Sequence, residues 1–129
     1  MKIIAALICG VALAVFPAVS SAEAKELTCR IQGSTSNSAQ LDLDESASTA
    51  FWHGGGGAGS HNSSATFTSD QVVWKFTEED SQGAEIDYTF TLNRMTGVLW
   101  QTESHYSDQS RRNVNGTISW DCSVSERKF

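Results

Sequence analysis

The chain has 129 residues, 9 basic and 15 acidic side chains, and a formal net charge of −6. That balance disfavours nucleic acid, whose phosphates it would repel, and anionic lipid surfaces. The length suits one small domain and an export segment, not several domains.

Lys2 gives the chain a short positive end. Ile3 to Phe16 is an apolar run, and Ser20-Ser21-Ala22 places small residues where a signal peptidase reads. Residues 1–22 are therefore expected to be a signal peptide and 23–129 a single domain, secreted or periplasmic; cleavage after Ala24 fits nearly as well. Ile8 before Cys9 is not small, which argues against lipidation. No other stretch reaches the length of a membrane span. Without the first 22 residues the chain keeps 8 basic against 15 acidic residues, a charge of −7.

Two cysteines remain, Cys29 and Cys122. An even count in an exported chain predicts one disulfide. Each lies on the apolar phase of a strand-like segment, Leu27-x-Cys29-x-Ile31 and Ile118-x-Trp120-x-Cys122. A bond between them would bring the first and last strands together. Two free thiols or a metal pair is the alternative, but no third cysteine or nearby histidine completes a site.

In chain order, Glu23 to Glu26 reads as a frayed charged lead-in. Leu27 to Gln32 is a strand, Gly33 to Ser38 a polar turn. Ala39 to Glu45 alternates, with Leu41 and Leu43 inward. Thr49 to His53 is a strand with aromatics on both phases, so either Ala50 and Trp52 or Phe51 and His53 face in. Gly54 to Ser64 (GGGGAGSHNSS) is low in complexity and reads as a flexible loop. Ala65 to Ser69 puts Phe67 inward, and Asp70 to Thr77 puts Val72, Trp74 and Phe76 on one face. After an acidic turn, Ile86, Tyr88, Phe90 and Leu92 alternate with polar residues. Asn93 to Gly97 is a hairpin loop whose Gly97 takes a positive φ. Val98, Trp100 and Thr102 are expected to resume the inward phase. Glu103 to Asn115 reads as a long polar connection, and Gly116 to Ser123 as the last strand.

About eight strands near ten residues apart, with the ends tied by a disulfide, predict an all-β fold: a small antiparallel up-and-down barrel. A two-sheet β-sandwich is the alternative. Bulky inward residues predict a filled core without a large pocket.

The exported chain, its terminal cysteine pair and its strand–Asn93-Arg94-Met95-Thr96-Gly97–strand hairpin resemble uncharacterised small periplasmic proteins of proteobacteria. In outline it is also similar to the small β-barrel inhibitors of animal-type lysozyme, which implies a rigid barrel that works through its loops. The loop those inhibitors insert, with Ser-Gly followed by a basic residue and tyrosine, has no counterpart here. No functional residue is carried over.

His53 and His61 flank the glycine run, and His105 lies in the later polar stretch beside Tyr106, Arg111 and Arg112. These six are the candidate binding residues. Three imidazoles would hold zinc only if their loops converged, and their spacing matches no tight metal motif. The acidic groups Asp42, Asp44, Glu45 and Glu78, Glu79, Asp80 lack a calcium-loop pattern. The glycines lack the strand-to-helix setting of a phosphate loop, and no serine sits in Gly-x-Ser-x-Gly. No catalytic residue, metal or cofactor is assigned. The expectation is a non-catalytic protein-binding module, an inhibitor or envelope accessory factor. The alternatives are a carrier of a small apolar ligand in the barrel mouth and a small hydrolase using loop histidines and carboxylates.

Overall fold

Side chains on a strand alternate between faces with a period of two, and here nearly every apolar run obeys that period. A computed structural model describes residues 24–106 and 113–125. Eight strands follow in order: β1 (Ala24–Ile31), β2 (Ser38–Asp44), β3 (Thr49–Gly55), β4 (Ala58–Phe67), β5 (Gln71–Glu79), β6 (Glu85–Asn93), β7 (Val98–Tyr106) and β8 (Asn113–Val124). Each pairs antiparallel with the next and β8 returns to β1, closing an up-and-down barrel. The expected fold class holds, and the sandwich is excluded. No helix among the described residues is long and apolar enough to cross a membrane. The expected signal peptide, Arg111, Arg112 and the side chain of Tyr106 lie outside the described residues.

The interior follows the alternation. Leu41, Ala50, Trp52, Val72, Phe90 and Leu99 are fully buried, and Trp74, Tyr88 and Trp120 nearly so. Trp74 stacks on Phe90 at 5.0 Å between ring centres, and Trp52 meets Trp120 edge-on at 5.2 Å. Such pairs contribute about 0.5–1.5 kcal/mol each beyond the area they bury. In β3 the open phase resolves to Ala50 and Trp52 inward. Phe51 and His53 face outward and stack on each other at 4.3 Å.

Four sequence expectations are corrected. The charged lead-in is not frayed over its described part: Ala24, Lys25 and Glu26 pair with Asp44, Leu43 and Asp42, extending β1 outward. The Gly54–Ser64 segment is no flexible loop. It forms the end of β3, a turn at Gly56-Gly57 and the first half of β4, with Gly55 paired to Ala58. The Glu103–Asn115 connection is largely two paired strand arms, from Glu103↔Gly116 to Tyr106↔Asn113. The phase of β7 is opposite to that expected: Leu99 and Gln101 are buried, whereas Trp100 is 48% exposed. The cause is register. Leu92 pairs with Leu99, directly paired residues share a face, and Leu92 faces in.

Cys29 and Cys122 are bonded and stand directly opposite one another in the β1–β8 ladder, 3.9 Å apart at Cα. The bond joins residues 93 positions apart. Closing so long a loop in the unfolded chain is worth about 4.6 kcal/mol in the chain-entropy model. Reduction is therefore expected to lower Tm substantially. A melting curve unchanged after thiol counting proves the bond broken would contradict this.

Candidate functional site

Up-and-down connectivity sends alternate connections to opposite ends of the barrel. The β1–β2, β3–β4 and β5–β6 connections share one end, the glycine turn among them, with Tyr106 and Asn113 at the paired ends of β7 and β8. The β2–β3, β4–β5 and β6–β7 turns share the other with Ala24 and Ser125. The two ends differ in kind.

The glycine end is closed by the β3–β4 hairpin. Gly54, Gly55, Gly56 and Gly57 have φ of 102°, 155°, 64° and 88°, a run of positive angles that only glycine adopts at little cost. It turns the hairpin tip inward until a Cβ on Gly56 would overlap the Gln101 side chain. Gln101 is 1% exposed. Its Oε1 accepts from Trp120 Nε1 at 2.9 Å, and its Nε2 donates to Gly56 O at 3.1 Å. Trp52 Nε1 donates to Gly55 O at 3.3 Å and Tyr88 OH to Gly57 O at 3.1 Å. Three inward polar side chains thus satisfy the carbonyls that the hairpin carries into the barrel.

The three histidines lie towards this end, in strands and not in loops. His53 Nε2 is 2.7 Å from Asp42 Oδ2, His61 Nε2 2.8 Å from Glu78 Oε2, and His105 Nε2 3.5 Å from Glu103 Oε2. Each has its own carboxylate, and no group of three metal-ligating side chains forms among the described residues. His61 has a structural task. β4 and β5 pair only from Ala65↔Trp74 to Phe67↔Val72. Towards the glycine end Glu78 spans them, accepting from Gly59 N at 2.8 Å as well as meeting His61, whose ring stacks on Phe76 at 4.1 Å.

The other end holds a pocket of about 230 Å³. Leu27, Leu43, Phe67, Val72 and Leu92 give it apolar walls, and Lys25, Glu45, Arg94 and Ser123 stand at its rim. Arg94 fixes that rim. Its Nη2 donates to Glu45 Oε1 at 2.9 Å, its Nη1 to Thr68 O at 2.6 Å, and its guanidinium lies 5.9 Å from the Phe67 ring centre. One side chain therefore ties all three turns of the mouth together. Asn93 Oδ1 caps the Met95 and Thr96 N–H groups at 2.8 and 3.0 Å. Gly97 has the expected positive φ, 81°, and a Cβ there would lie 2.7 Å from Cys122 O. Met95 is 79% and Val124 61% exposed at this same end. The pocket, Lys25 and Arg94 were not singled out as a site from sequence, since a charged lead-in and a turn arginine resemble ordinary surface.

No family model matches the chain, and no curated protein or solved structure matches it either.

Replacing Gln101 by Met keeps the volume but strands the Trp120 N–H and the Gly56 carbonyl. A loss of about 2–4 kcal/mol is expected, measured by denaturant unfolding; a loss under 0.5 kcal/mol would mean the buried amide does not hold the plug. Burial first, then Glu103 and Glu78, raise the Tyr88 pKa above its ordinary 10.0. The folded chain then holds this proton longer than the unfolded chain. The contribution is intact below about pH 10 and is lost as pH rises towards the folded value. Tyr88→Phe is expected to flatten the alkaline fall of stability, and an unchanged slope would count against the assignment.

Proposed function

We propose that this protein is an exported, non-catalytic carrier that takes a small apolar ligand into the mouth of its barrel. One observation carries the reading: one end is sealed by the glycine hairpin, while the other keeps a 230 Å³ pocket with apolar walls. The Arg94 contacts across three turns support it, because a rim held in place loses little freedom on binding. The volume lies below the roughly 300–1,000 Å³ of drug-sized sites, which limits the ligand to a small one. Export is supported by the signal-like first 22 residues and by a disulfide, which belongs to an oxidising compartment.

A second reading, the protein-binding module expected from sequence, is favoured by Met95 and Val124. Two exposed apolar side chains beside an apolar socket suit a partner that inserts an apolar anchor. The hydrolase reading gains no support from the histidines, which are held by three separate carboxylates.

Native mass spectrometry of protein taken gently from its own compartment should show one small adduct. An attached second protein would favour the second reading. Independently, 1-octanol should shift the backbone amides of Leu27, Leu43, Val72 and Leu92 in NMR spectra. No adduct and no such shifts at millimolar alcohol would overturn the carrier reading.

A further inference from the structure

We propose that the ligand is a short straight-chain carboxylate, its tail in the mouth pocket and its head paired with Lys25. This rests on the carrier reading and names the ligand's chemistry. Lys25 pairs in register with Leu43, which is 8% exposed and faces inward. Paired residues share a face, so Lys25 stands on the inward phase of β1, one inward position beyond Leu27. A lysine in that place is unlike one on the outer wall: its stem can run along apolar surface while its ammonium stays at the water's edge.

Among the described residues, the charges around the mouth leave this ammonium uncommitted. Glu45 is the one carboxylate lining the pocket among the described residues, and Arg94 Nη2 engages it at 2.9 Å. Arg94 in turn spends Nη1 on Thr68 O. Lys25 makes no ion pair or side-chain hydrogen bond among the described residues. Among the described residues this is one unpaired positive charge over apolar walls, and it complements one negative charge on an apolar tail. A cationic head would meet Lys25 and Arg94, and a polyanion would meet a chain of net charge −6. A monoanionic amphiphile satisfies both limits.

The pocket also sets a length. At about 30 Å³ for each water-sized group, 230 Å³ holds about eight heavy atoms. Each added methylene should tighten binding about fourfold while there is apolar wall to cover, and the gain should stop near eight carbons. Lys25 is exposed, so the ion pair's share is a few-fold at low salt and smaller as salt screens it.

The test is an NMR titration at low ionic strength with the carboxylates from butanoate to decanoate, 1-octanol and octylammonium, on the protein and on Lys25→Gln. Lys25 sits at the rim, so its replacement should leave the fold intact, and an unchanged spectrum elsewhere verifies that. The expected result has three parts: affinity rises to about octanoate and levels off, octanoate binds a few-fold tighter than octanol with octylammonium weakest, and Lys25→Gln removes that order while octanol binds as before. Octanoate and octanol binding equally, with Lys25→Gln silent, would overturn the proposal and leave the carrier reading standing. No binding by any of them would remove the carrier reading and this inference with it.

Discussion

An eight-stranded meander has two unpaired edges unless its first strand meets its last. Here that closure is a short ladder from Leu27↔Val124 to Ile31↔Trp120 with the Cys29–Cys122 bond inside it. Everything else depends on it. Closure fixes the strand number at eight, and a ring of eight has an interior about wide enough for its own side chains. It also removes the sheet edges that would invite pairing with another chain. The covalent bond sits on the one seam whose two sides are far apart in sequence, where the unfolded chain has most freedom to lose. β2 to β7 pair with sequence neighbours and need no such help.

A closed ring leaves its two ends to be finished. At the glycine end the chain folds a hairpin inward, which carries backbone carbonyls into an apolar space. Unpaired, each would cost about 1–3 kcal/mol. Gln101, Trp52 and Tyr88 are placed to meet them, and Trp120 completes the amide of Gln101. The polar residues on inward phases here are therefore a requirement of the plug. The histidine–carboxylate pairs lie nearby and serve the wall, most clearly where Glu78 and His61 join β4 to β5 beyond their last ladder pair.

How much of this is legible in sequence depends on whether period two survives locally. Leu41 and Leu43, or Ile86 to Leu92, alternate cleanly, and their strands and inward faces follow at once. Trp100 misleads because a large aromatic outweighs a glutamine in any apolar count, while the turn register that puts Gln101 inside is set four residues earlier. Glycine runs carry no mark of whether they are loose or locked: Gly54 to Gly57 are locked by positive φ and by contacts with Gln101 and Tyr88, residues more than thirty positions away in the chain. Lys25 reads as a frayed end because its charge hides the pairing with Leu43. The mouth was out of reach for a different reason. It is assembled from Glu45, Thr68 and Arg94 on three turns, and only closure brings them together.

The pocket itself follows from side-chain size. A barrel of fixed strand number keeps a similar diameter along its axis, so what fills one level must be matched in volume at the next. Trp52, Trp120, Tyr88 and Phe90 occupy the levels towards the plug, and their rings interlock. The mouth is lined chiefly by Leu27, Leu43, Val72 and Leu92, and its one ring among the described residues, Phe67, is half-buried at the wall beneath Arg94. Four aliphatic side chains do not fill what four aromatic ones fill, and the shortfall appears as free volume at the level nearest solvent. A chain needing only stability would gain from larger residues there, since unfilled apolar volume forfeits contacts. Instead an arginine, a glutamate and a capping asparagine hold the rim in one shape. The result is a stiff rim around an underfilled apolar level, the reverse of the interlocked rings at the plug.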